Sequence, residues 1–280
     1  MMLRYTLPPL LFTLLLTAGP LSALAGDVQV PEWKLSLASG RGVIENPIKG
    51  KDDGETAFLP SFSYYGERFF ISNLTVGYTL LEEKNFYVDL VAQPNEDGFY
   101  YHLDSSALAM SSLTNFLVNA GSNTLEDIER DISVVAGPSL TLVGKYADLS
   151  LASFHDISEV HYGSETHLSL DKQFQFLGGK FGYGIGAIKK DADLVGYYYH
   201  VTQAEAGGIA RSYALQYPPD DVTDRYARVH FSYPLGNHID FRMGAKYTDF
   251  DMDGRLPLLM KKSETLSWFA GFQYSIGNGQ

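Results

Sequence analysis

Residues 265–276 read TLSWFAGFQYSI, and how their alternation is resolved decides the fold. Leu266, Trp268, Ala270, Phe272, Tyr274 and Ile276 fall on one side of an extended chain, with Thr265, Ser267, Phe269, Gly271, Gln273 and Ser275 on the other, because successive strand side chains point to opposite faces. Two architectures write this pattern. A water-soluble sandwich buries the apolar set, whereas a membrane barrel turns it to lipid and lines its lumen with the polar set. Alternation alone does not choose between them.

The preceding segments carry the same period. Ile239, Phe241, Met243, Ala245 and Tyr247 alternate with His238, Asp240, Arg242, Gly244 and Lys246, and Arg228 and His230 sit between Val229, Phe231 and Tyr233. Such segments recur about every ten residues, the signature of a membrane barrel. Two features favour the barrel. Aromatics gather at strand ends, as in Tyr64-Tyr65, Phe69-Phe70 and Phe99-Tyr100-Tyr101, which suits interfacial girdles. The polar faces also carry charge that a lumen would hold. Strands are predicted at 31–42, 56–64, 67–81, 84–93, 97–104, 131–143, 146–154, 164–175, 181–190, 225–234, 238–249 and 264–276. The count is even, as bacterial barrels require. If the first strand runs outward, the short links at Tyr65-Gly66, Pro94-Asn95, Lys145, 177–180 and 235–237 face the periplasm. The long links 43–55, 105–130, 191–224 and 250–263 then face outward. Pro138 deletes a ladder donor inside 131–143, so a bulge is expected there. Segment 105–123 has a helical period and reads as a loop helix or an inward-folded plug.

One of the long links contains YTDFDMDGRLPLL (247–259), whose D-x-D-x-D-G opens a helix-flanked calcium loop. Counting from Asp249, the twelfth position is Met260 rather than a bidentate carboxylate, and a strand, not a helix, precedes the run. It reads as an acidic loop tip.

The N-terminus supplies the address. Arg4, the short apolar run Leu7–Leu16 broken by Pro8 and Pro9, and Ala23-Leu24-Ala25 before Gly26 form a secretory signal peptide. The domains are therefore a leader, 1–25, and a barrel, 26–280. Losing Arg4 takes the formal charge from −12 to −13, which excludes a phosphate-seeking nucleic-acid partner. Cysteine is absent, so no disulfide staples the exported chain. No later segment approaches the roughly 20 apolar residues of a transmembrane helix.

No catalytic constellation stands out. Glu165, His167, Ser169 and Asp171 share one strand face, but same-face neighbours sit about 7 Å apart, too far for a nucleophile–base hydrogen bond without help from an adjacent strand. They read as lumen lining, with Arg228, His230, Asp240, Arg242 and Lys246. The basic members form either an anion-attracting wall or internal ion pairs. His155, His161, His167 and His200 lack zinc-site spacing, and neither a metal nor a cofactor is expected.

Four stretches, FLPSFSYYGERFFISNLTVGY (58–78), LEDIERDISVVAGPSL (125–140), ASFHDISEVHYGSETHLSL (152–170) and GYYYHVTQAEA (196–206), together resemble the MipA/OmpV family of outer-membrane proteins. The sequence departs from the family pattern in a longer 105–123, in the loop DFDMDGRLPLL and in its non-aromatic end QYSIGNGQ. The resemblance implies a twelve-stranded antiparallel barrel in the outer membrane. It also implies a non-enzymatic scaffold that links a lytic transglycosylase to a murein synthase. The partner surface would then consist of the short periplasmic turns, although a stable interface buries about 800 Å² per partner. The alternatives from other classes are a small-solute channel and an adhesin or receptor acting through the outer loops.

Overall fold

The structure, a computed structural model, describes residues 31–103, 128–201, 205, 218–252 and 256–278. The signal peptide, segment 105–123 and part of the acidic loop tip lie outside the described residues. Twelve antiparallel strands close into a barrel: β1 (Glu32–Ile44), β2 (Gly54–Tyr65), β3 (Phe69–Ser72), β4 (Thr75–Glu83), β5 (Phe86–Pro94), β6 (Val134–Leu142), β7 (Asp148–Asp156), β8 (Ser164–Phe176), β9 (Gly179–Lys190), β10 (Val222–Pro234), β11 (Ile239–Asp249) and β12 (Glu264–Gly277). Each strand pairs with its sequence neighbours, and β12 pairs back onto β1 with Lys34 opposite Gly277.

Burial resolves the ambiguity left by alternation. Along β12, Thr265, Ser267, Gln273 and Ser275 are buried while Leu266, Phe272, Tyr274 and Ile276 are exposed; Phe272 is 56% accessible and Gln273 4%. In β7, Asp148, Ser150, Ala152 and Phe154 are buried while Leu149 and Leu151 are exposed. A sandwich in water would show the reverse. With the apolar face outside and the polar face inside, the barrel's solvent is lipid.

Three expectations are corrected. Segment 67–81 is two strands, β3 and β4, folded at Asn73-Leu74, where Asn73 takes φ 55°. Segment 97–104 is not a strand: Glu96–Phe99 form a short helix, α1, whose N-cap Asn95 accepts the Asp97 N–H, and turns follow it. The two differences offset each other, so the even count survives. They also relocate two links, because Lys84-Asn85 becomes a short-turn link and Pro94-Asn95 moves to the long-loop end. At Pro138 the register continues without a bulge. The ladder to β7 lapses at Gly137-Pro138 between the pairs Ala136–His155 and Ser139–Ala152. A methyl at Gly137 would sit 1.8 Å from the Ser153 carbonyl oxygen, so the backbones are pinched together where the proline donor is missing.

The main hydrophobic core is centred on the mouth at the long-loop end, the end that bacterial barrels turn outward, and reaches down to Ala38, Leu59 and Phe269 along the strands. Tyr100, Tyr101 and Leu103, which follow α1, pack with Leu194, Val195, Tyr198 and Tyr199 of a second helix, α2 (Ala192–Tyr199), and with Ile44, Phe250 and Met260 from the loop ends. The Asp191 side chain caps α2 by accepting the Leu194 N–H at 3.0 Å.

Candidate functional site

The site is the lumen and its two mouths. At the outer mouth, each of the first three residues around the start of α1 reaches a different strand. Asn95 donates to Glu165 of β8 at 2.9 Å, Glu96 meets Lys246 of β11 at 2.7 Å, and Asp97 meets Lys190 of β9 at 2.7 Å. Lys190 also pairs with Asp224 of β10 and lies 5.5 Å and 5.6 Å from the ring centres of Tyr199 and Phe250. All of these groups except Tyr199 border a cavity of about 20 Å³, room for about one water molecule. A buried cation held by two buried carboxylates and two aromatic rings fixes α1 against the wall, since removing any one of them strands the others without hydration.

A second set of ties holds α2. Arg130 forms a fork with Glu205 at 2.6 Å and 2.9 Å and donates to the carbonyls of Tyr197 and His200. His161 lies 3.0 Å from the Ser133 hydroxyl through Nε2 and accepts the Gly163 N–H through Nδ1 at 2.9 Å. The Tyr198 hydroxyl accepts the Ser133 N–H at 3.2 Å and lies 3.1 Å from the Asp131 carbonyl. With Nδ1 accepting, the ring is the neutral Nε2–H tautomer. Burial lowers the His161 pKa below its usual 6.5, against the upward pull of Asp156, Glu165, Asp97 and Asp191. A histidine with a depressed folded pKa takes up its proton more readily when unfolded, so its contribution is intact above about pH 6.5 and is lost as pH falls below that. Limited proteolysis of the detergent-purified barrel should therefore cut loop 157–163 faster at pH 5 than at pH 7.5. His161→Phe, which cannot titrate, should abolish that difference.

Further in, Arg228 forms a buried ion pair with Asp171, and the Tyr226 ring lies 5.6 Å from its guanidinium and 5.2 Å from Lys246 Nζ. His230 meets Gln173 at 3.3 Å, and Arg242 donates to Gln273. Asp240 and Arg242 lie within electrostatic reach of Lys34. Of the four basic residues proposed for a strip, Arg228 and Lys246 are thus bound to acids and His230 and Arg242 to glutamines. Glu165 and His167 approach to 3.1 Å, closer than their backbone spacing because the side chains lean along the strand. Among the described residues, no three His, Cys, Asp or Glu side chains gather as metal ligands. His155 bonds Ser164, apart from His161 and His167. At the acidic loop tip, Asp251 pairs with Arg225 at 3.0 Å.

Sequence reasoning missed Lys190, Asp97, Asp224 and Asn95. Lys190 ends a strand beside Lys189, where a solvated rim charge is the ordinary reading. The caps were visible in Asn95 and in Asp191, each followed by an acidic first turn.

At the opposite mouth the links are short, as at Leu177-Gly178, and they expose Tyr146, Leu177 and Leu235. The sequence profile described as MltA-interacting protein MipA matches residues 37–276. The chain is 26% identical to the MltA-interacting protein of Escherichia coli (strain K12), over 84% of this chain and 87% of that protein. It is 21% identical to YiaT of the same strain, a protein named for the outer membrane, over 86% of this chain and 90% of that one. Among solved structures it is similar to a mutant of the monoaromatic hydrocarbon channel TodX, with a TM-score of 0.39, 11% identity, and 92% of each chain covered. It is also similar to an anion-selective porin from Comamonas acidovorans, with a TM-score of 0.35 and 6% identity, covering 87% of this chain and 98% of that one. The chain is an outer-membrane β-barrel and belongs to the MltA-interacting protein MipA family.

Proposed function

We propose that the protein is a non-enzymatic outer-membrane scaffold that receives a lytic transglycosylase, and with it a murein synthase, at its periplasmic end. The observation that carries this reading is the filled outer mouth. A core of Tyr100, Tyr101, Leu194, Val195, Tyr198 and Tyr199 occupies it, Lys190 and Lys246 pin it to the wall, and below it Arg228 is spent on Asp171 while His230 and Arg242 are held by Gln173 and Gln273. A barrel built to pass solutes keeps its lining polar and its bore open. Here the bore is a structural interior, which leaves the periplasmic rim as the working surface. The relative named as MltA-interacting supports the same reading. The test is binding of a purified lytic transglycosylase to the detergent-solubilised, gel-shifting barrel. Saturable binding at micromolar concentration is expected, and its absence would count against the scaffold.

A further inference from the structure

Three consecutive turns on one side of the periplasmic rim are unlike the rest. The β8–β9 turn, Leu177-Gly178, takes φ 51° and φ 80°, the two-residue hairpin geometry that favours Asn-Gly or Asp-Gly. Leucine there suffers twice, from the left-handed backbone and from 78% exposure of its side chain. Tyr146 in the β6–β7 turn is 76% exposed and Leu235 in the β10–β11 turn 54%. The turns are physically joined: the Tyr183 hydroxyl donates to the Tyr146 carbonyl at 2.7 Å, and a methyl at Gly178 would touch the Tyr233 ring at 3.4 Å.

This sector also has a basic edge. Lys145, its Nζ 5.1 Å from the Tyr146 ring centre, and Lys180 border this apolar sector. Across the rim the signs are mixed and no large apolar tip stands out: the β2–β3 turn carries Glu67 and Arg68, and Glu82 and Glu83 at the end of β4 precede Lys84 in the β4–β5 turn, all exposed. In a chain of net charge −12, a basic edge around exposed apolar tips is the part that an acidic partner surface would select.

We infer that the turns bearing Tyr146, Leu177 and Leu235, edged by Lys145 and Lys180, are the docking face for the murein hydrolase, whose complementary surface is an apolar cleft bordered by acidic residues. This rests on the scaffold reading above and specifies its contact. Three turns offer a small area, which fits a reversible complex at the low end of interface size, under about 1,200 Å² in total.

Leu177→Asn makes the test clean, because it relieves the turn while removing the side chain, so a loss of binding cannot come from a weakened barrel. Purified lytic transglycosylase is titrated against the immobilised wild type, Leu177→Asn, Lys145→Glu/Lys180→Glu, and the control Glu82→Lys/Glu83→Lys, each checked for the gel shift of a closed barrel. The expected result is at least tenfold weaker binding for Leu177→Asn, a comparable loss for the lysine pair, and a control within twofold of wild type. Wild-type binding that all variants retain overturns the docking face and assigns the tips to lipid headgroups, while the scaffold reading stands. No binding by the wild type overturns both.

Discussion

Lys190→Met is expected to lower the unfolding free energy of the barrel by about 3–5 kcal/mol, because removing one partner of a buried ion pair leaves the other charge uncompensated. Here two carboxylates, Asp97 and Asp224, lose the cation between them, and Tyr199 and Phe250 lose its contact. The readout is the urea midpoint at which the compact, gel-shifting form disappears. Asp97 is on α1, so the same change should free the mouth and raise bilayer conductance. Replacing the whole set, Lys190→Met with Asp97→Asn and Asp224→Asn, should recover most of the lost stability, since well-packed neutral groups often match a buried triad. An unchanged midpoint in the single variant would mean that the three charges are hydrated.

Ile185→Arg is expected to cost about 2–4 kcal/mol if Ile185 faces the bilayer near its midplane. Ile185 lies midway along β9, opposite Leu170 and Ala227, and is 53% exposed. In a water-soluble sandwich, an exposed isoleucine could become arginine within about 0.5 kcal/mol. The two solvents thus predict different outcomes for one substitution. Folding yield into lipid vesicles at graded urea measures it, and a near-neutral result would contradict the lipid-facing assignment.

Much of the barrel was legible in the sequence because period-two alternation is local: β7 to β12 were found within a few residues of their bounds. What local pattern could not supply was the solvent. The same TLSWFAGFQYSI suits either face until burial shows Gln273 inside and Phe272 outside. The hairpin at Asn73 was hidden because FFISNLTVGY keeps strand-forming residues on both sides of the turn, and only the Asn marks it. Phe99-Tyr100-Tyr101 looked like a strand because aromatics favour strands. In the fold Tyr100 and Tyr101 are core for the outer mouth and Phe99 packs against Leu74 and Ile132, and packing overrode propensity. For the candidate site, inward positions followed from spacing, as with Arg228 and Lys246. Their partners did not, because Asp171 and Glu96 are 57 and 150 residues away, and such distances are set by how the barrel closes.

Single-channel recording in planar bilayers tests the central claim most directly, namely that the lumen is a pinned interior and not a conduit. The wild-type barrel, reconstituted at a density where a porin control gives steps, should give no current steps, and Lys190→Met should give them under the same conditions. Regular steps from the wild type would contradict the account and make the protein a channel.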